Sequence, residues 1–174
     1  MRIALIPIFI VLFYLPFKGA HLAAATVFAL ASFTDWLDGY LARKMQLTST
    51  FGAFLDPVAD KLLVACALLL LVGAKDIDYI TLPAMVIVGR EIVISSLREW
   101  MAVIGSRTSV AVNFVGKIKT TAQMAALLLL VLCDPHDSWG GMIGFVLLYV
   151  SAILTIWSMI IYLSIAWPLL VKKT

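Results

Sequence analysis

The chain has 174 residues, of which 63% are hydrophobic and 13% charged, with a formal net charge of +3. A soluble domain of this length has too little interior to hide so much apolar surface, so the composition argues against a water-soluble globule and for a bilayer as solvent. The basic residues are scattered between apolar runs, which argues against nucleic acid and suits a membrane face that meets anionic lipids or phosphorylated substrates.

Six apolar stretches follow in chain order, at 3–17, 22–40, 53–72, 80–104, 110–132 and 142–163. Most hold the roughly 20 residues needed to cross about 30 Å of hydrocarbon, and the first is short. That first run follows Arg2 as a signal peptide would, but further apolar spans come after it, so it reads as a first transmembrane helix. Turn-forming or polar residues separate the stretches: Lys18-Gly19, Arg43 to Thr50, Gly73 to Asp78, Gly105 to Thr108 and Asp134 to Ser138. Without a repeat or a low-complexity tail, the expected architecture is one all-α integral membrane domain over 1–174, a bundle of six transmembrane helices.

Positive charge orients the bundle. Of the 13 lysines and arginines, Lys18 and Lys75 fall on one side and the other eleven on the opposite side or in its half of the spans. The basic side is the cytoplasmic one by the positive-inside rule, so both termini and the connections at 43–51 and 105–109 are expected in the cytoplasm. Trp100, Trp139 and Trp167 lie near span ends, where an interfacial aromatic belt would place them.

Ionised side chains inside membrane helices are costly and usually functional. Asp35 and Asp38 end the second span, and Asp56 and Asp60 begin the third. At about 100° per residue, Asp38, Gly39 and Ala42 lie within roughly 60° of Asp35 on one face. On the next helix Gly52, Asp56 and Asp60 share a face, while Lys61 falls about 180° from Gly52 and is expected outside the site. The short connection makes the two helices antiparallel neighbours whose acidic faces meet. Four carboxylates together would repel, and hard divalent cations relieve this while bridging substrate phosphate oxygens. Two such ions can hold the attacking and leaving oxygens of a phosphoryl displacement. Asp56-Pro57 also fits a helix N-cap with proline at the first helical position, and Asp35 with Asp38 fits a solvated helix end. Neither accounts for all four.

Residues 35–60, DWLDGYLARKMQLTSTFGAFLDPVAD, match D-x2-D-G-x2-A-R-x8-G-x3-D-x3-D at every specified position. This pattern resembles the signature of the CDP-alcohol phosphotransferase family. The resemblance implies a six-helix membrane fold, homodimers with the site at the cytoplasmic end of each bundle, and attack of an alcohol on the lipid-side phosphorus of a CDP-linked lipid with loss of CMP. It implies Asp35, Asp38 and Asp56 as principal ligands of Mg²⁺ or Mn²⁺, two ions being expected, with Asp60 touching metal and acting as general base. It also implies a cytidine-diphosphate pocket shaped by Thr34, Gly39, Ala42, Arg43 and Gly52, with Arg43 adding positive charge. Members usually carry a short amphipathic segment before the first span, ending N-x-L-T-x-x-R; here only the final arginine, Arg2, is represented.

Thr34-Asp35-Trp36, Phe51 to Lys61, Arg90-Glu91 to Arg98-Glu99-Trp100 and Gly116 to Gln123 resemble the bacterial inner-membrane members that join CDP-diacylglycerol to sn-glycerol 3-phosphate. Such an acceptor needs cations near the metal site, and Arg90, Arg98, Arg107, Lys117 and Lys119 are the candidates. Arg90 leads, because an arginine inside a span needs a partner and phosphate suits it; pairing with Glu91 or another helix's carboxylate is the bland alternative. Lys117 and Lys119 are about 200° apart, so only one is expected to face the pocket. Rival readings keep the chemistry and change the acceptor to inositol phosphate, serine or phosphatidylglycerol, or discard it for a divalent-cation transporter. Against a transporter, no acidic residue continues the path through the far halves of the helices. Cys66 and Cys133 read as packing residues, His21 and His136 as loop histidines, and Gly140-x3-Gly144 as a helix-packing motif able to mark a subunit contact.

Overall fold

The computed structural model describes residues 2–45, 50–74, 79–103, 114–133 and 138–171, with side chains for all of these except 2, 35–45, 50–54, 56, 114–117, 165 and 168–171. Six helices carry the chain: α1 (Arg2–Tyr14), α2 (Ala20–Met45), α3 (Thr50–Ala74), α4 (Thr81–Val103), α5 (Phe114–Leu132) and α6 (Trp139–Val171). No strand occurs among the described residues.

Local chemistry sets the helix ends. α1 stops at Tyr14, three residues short of the expected 17, because Leu15 precedes Pro16 and is steered out of helical backbone. Gly19 turns the chain into α2 with φ +103°, a conformation that favours glycine. His21 therefore sits on α2 rather than in a loop, its ring 5.6 Å edge-on from Phe13. Ser138 caps α6 by accepting the Gly141 N–H at 3.1 Å.

Helix α5 packs most extensively on α6, α1 on α2, and α4 on α6 and α3, while α2 and α3 both lean on α5. The core joins Phe9, Phe13 and Phe28 of α1 and α2 to Leu68 and Leu71 of α3 and Leu127 and Leu130 of α5. Buried alanines such as Ala24, Ala67, Ala126 and Ala152 let the backbones approach, the usual device where lipid removes the hydrophobic drive between helices. Gly144 does the same for α6. A Cβ there would lie 2.9 Å from the Leu129 Cβ and 3.2 Å from the Ala126 carbonyl oxygen. The glycine pair thus serves packing within one chain.

Two segments, Pro57–Ala74 and Trp139–Ser164, are long and apolar enough to cross a membrane, and Ile3–Tyr14, Ala20–Thr34 and Ile118–Leu132 are shorter apolar helices. Helix α4 contains Arg90, Glu91, Arg98 and Glu99, and its apolar run is broken accordingly.

Candidate functional site

A cavity of about 690 Å³ opens between α2, α3, α4 and α5. Its greasy part includes Phe28 of α2, Val64 of α3 and Met124 and Leu128 of α5. Its polar part includes Ser32, Asp60, Lys61, Glu91, Lys119 and Gln123. Among the described residues, α2 and α3 face one another across this space rather than in extended direct contact.

Asp60 stands on the cavity wall, half-buried. The three other aspartates are placed by backbone alone. Asp35 and Asp38 lie one turn apart on α2, and Asp56 lies one turn before Asp60 on α3. Helix α3 begins at Thr50, six residues before Asp56, so Asp56 is not an N-cap and Pro57 is not a first helical residue. That alternative is corrected by the helix start itself. Pro57 lies inside the helix and has no N–H for the Ala53 carbonyl, so the turn that carries Asp56 and Asp60 lacks one ladder bond. The side chains of Asp35, Asp38, Asp56, Gly39, Ala42, Arg43, Gly52 and Lys117 lie outside the described ones, and Arg107 and His136 lie outside the described residues altogether. Among the described residues no three His, Cys, Asp or Glu side chains cluster. Thr34 is half-buried, and its hydroxyl donates to the Ala31 carbonyl at 2.9 Å.

The cations show an arrangement that helical spacing does not disclose. Lys119 is buried, with its Nζ 3.1 Å from Glu91 Oε1. The same oxygen takes Arg90 Nη1 at 2.8 Å. Arg90 Nη2 donates to Ser158 of α6 at 3.2 Å, and its guanidinium lies 5.8 Å from the Tyr162 ring centroid. Arg90 is thus paired with Glu91 and turned to α6, and it does not line the cavity; Lys119 does. Arg98 donates to the Tyr162 hydroxyl at 2.7 Å and stacks 5.1 Å from the same ring.

Lys61 corrects the helical projection. It lines the cavity beside Asp60, and its Nζ donates to Ser95 Oγ on α4. Ser95 Oγ in turn donates to the Glu91 carbonyl. A projection places Cα positions, whereas a four-carbon stem reaches round the helix to a neighbour. Glu91, Ser95, Ser158 and Tyr162 were not among the expected site residues. The local signal for the first two is the 91/95 spacing on one face of α4, and the α6 pair has none.

The sequence pattern of the CDP-alcohol phosphatidyltransferase family matches residues 1–157. A CDP-diacylglycerol–glycerol-3-phosphate 3-phosphatidyltransferase of Yersinia enterocolitica is 54% identical over 166 residues, covering 95% of this chain and 90% of the relative. Proteins of the same name from Sodalis glossinidius and Salmonella paratyphi A are 56% and 53% identical over 165 residues, with the same coverage.

Proposed function

The chain belongs to the CDP-alcohol phosphatidyltransferase family, and from that premise we infer how its residues serve the reaction for which its relatives are named. It transfers the phosphatidyl group of CDP-diacylglycerol to sn-glycerol 3-phosphate, giving phosphatidylglycerol phosphate and CMP. The observation that carries the site assignment is that Asp60 and Lys119 wall the same cavity.

Four carboxylates from two helices form an all-oxygen donor set that fits a hard divalent ion. Asp35, Asp38, Asp56 and Asp60 would hold Mg²⁺ or Mn²⁺, two ions in this reading, which when bound neutralise the diphosphate. Asp60 takes the proton of the acceptor hydroxyl as that oxygen bonds to the lipid-side phosphorus. The bond from phosphorus to the bridging oxygen breaks, and CMP leaves with that oxygen. Lys119 binds the acceptor's phosphate as a charge-assisted donor, and Arg90 acts through Glu91. Arg98, Arg107 and Lys117 add positive charge at the same end of the bundle. Thr34, Gly39, Ala42, Arg43 and Gly52 form the cytidine-diphosphate side. The apolar wall at Phe28, Val64 and Leu128 suits the lipid end of the donor.

In this reading all six helices span the inner membrane, both termini and the site face the cytoplasm, and the enzyme is a lipid-embedded homodimer. The test is CMP release by the purified protein. It requires CDP-diacylglycerol, glycerol 3-phosphate and Mg²⁺ or Mn²⁺ together, and Asp60→Asn lowers turnover at least about 100-fold. Unchanged turnover in that variant removes Asp60 as base. Equal use of serine, inositol phosphate or phosphatidylglycerol removes the acceptor assignment.

A further inference from the structure

Lys61 has no role in the scheme above, although it lies in the same cavity as Asp60 and Lys119. A lysine on a membrane helix ordinarily snorkels outward to lipid head groups. This one is turned across to α4, where its Nζ meets Ser95 Oγ. The bond occupies one of three ammonium donors, and among the described residues it pairs the charge with a neutral hydroxyl.

The charge balance of the cavity gives this a consequence. A phosphomonoester carries close to two negative charges at neutral pH, since its second pKa is about 6. Lys119 and Arg90 share the single carboxylate of Glu91, so that trio carries one net positive charge, while the Asp60 carboxylate on the same wall is assigned to the metal. Lys61 contributes the second.

One turn of α4 positions both cavity lysines. The Glu91 carboxylate holds Lys119, and the Glu91 carbonyl accepts from Ser95, whose hydroxyl accepts from Lys61. The hydroxyl uses its one donor and one of its acceptor sites in doing so.

We propose that Lys61 is a specificity-determining residue that, together with Lys119, binds the phosphate of the acceptor, and that Ser95 is its positioning residue. The proposal rests on the acceptor assignment above and names a further ligand for the same site. It accounts for a lysine directly after the base of that scheme: the phosphate end and the hydroxyl end of one small acceptor would be met by neighbouring residues of one helix.

The experiment is steady-state CMP release by the purified full-length protein in mixed micelles with Mg²⁺, varying each substrate in turn. Lys61→Met raises the KM for glycerol 3-phosphate about tenfold. It leaves the KM for CDP-diacylglycerol within about twofold and lowers kcat by less than KM rises. Ser95→Ala shifts the same KM in the same direction by about threefold, and Lys61→Arg recovers most of the loss. Lys18→Met, which removes one charge from the turn between α1 and α2, keeps parental constants. A Lys61→Met protein of parental melting temperature with an unchanged glycerol 3-phosphate KM overturns the proposal, as does an equal rise in the CDP-diacylglycerol KM. Should Lys61→Met not fold, Ser95→Ala decides by the same KM ratio. Parental enzyme with no preference for glycerol 3-phosphate over free glycerol would instead fail the acceptor assignment, whatever Lys61 does.

Discussion

Glu91 is an acidic side chain on the wall of a cavity assigned to anions, which would be a poor choice unless its charge were already spent. It is spent on Lys119 and Arg90, both bonded to the same oxygen. Removing one partner of such a group leaves the other charges buried and uncompensated, a loss of roughly 3–5 kcal/mol for fully buried pairs. The Glu91 side chain is 28% exposed and that of Lys119 is 4% exposed, so Glu91→Gln should cost about 3 kcal/mol, toward the low end. Chemical unfolding in detergent checks this. The double variant Glu91→Gln/Lys119→Met should lose less than the two single variants together, because the lysine's partner problem disappears with the lysine. Strict additivity would show that the pair is not coupled. The same residues mark where sequence reading stops. The aspartates are legible because i, i+3 and i, i+4 spacing is a local property. That Arg90 is held by Glu91, Ser158 and Tyr162 depends on α4 lying against α6, which no local pattern specifies.

The helices themselves were readable to within a few residues where polar signals bound them: α4 was expected over 80–104 and runs Thr81–Val103. Helix α6 is expected over 142–163 and runs Trp139–Val171; the apolar run itself continues through Ala166, Trp167 and Leu169 to Val171, so no charge marks an end at 163. Tight packing of α6 on α5 was hinted at by Gly140-x3-Gly144, but not which partner it served. The glycines differ in what surrounds them. A Cβ at Gly140 would meet the Cys133 Sγ at 3.1 Å, the end of a side chain that can rotate away. A Cβ at Gly144 would meet the Leu129 Cβ and a main-chain carbonyl, neither of which can yield without moving α5. Gly144→Val should therefore lower stability by about 1–3 kcal/mol, and Gly140→Ala by less. Thermal unfolding of the purified variants checks the order; equal melting temperatures would mean that α5 and α6 are not closely packed at Gly144.

At the scale of the whole molecule, large apolar side chains point outward along several helices, among them Leu69 of α3, Ile92 of α4 and Ile153 and Trp157 of α6, each more than 60% exposed. In water such a surface would aggregate; in hydrocarbon it needs no partner. The charges carry the proposed orientation, since the side with Lys18 and Lys75 carries few and the other side carries the rest. The proposed orientation has a chemical consequence: with the proposed site, CDP-diacylglycerol and glycerol 3-phosphate would meet at the ends of α2 and α3 that carry the aspartates, so those ends and the source of the acceptor would share a compartment. Single cysteines in a Cys66→Ala/Cys133→Ala background test this directly. A cysteine at Lys18, which lies in the turn between α1 and α2, should react with a membrane-impermeant maleimide in intact spheroplasts. A cysteine at Lys172 should react only after the membrane is permeabilised. The reverse pattern would place the aspartates outside the cell and overturn the assigned orientation. Labelling of both sites in intact spheroplasts would instead place the C-terminus outside, opposite the N-terminus, and mean that one of the helices α2 to α6 does not cross.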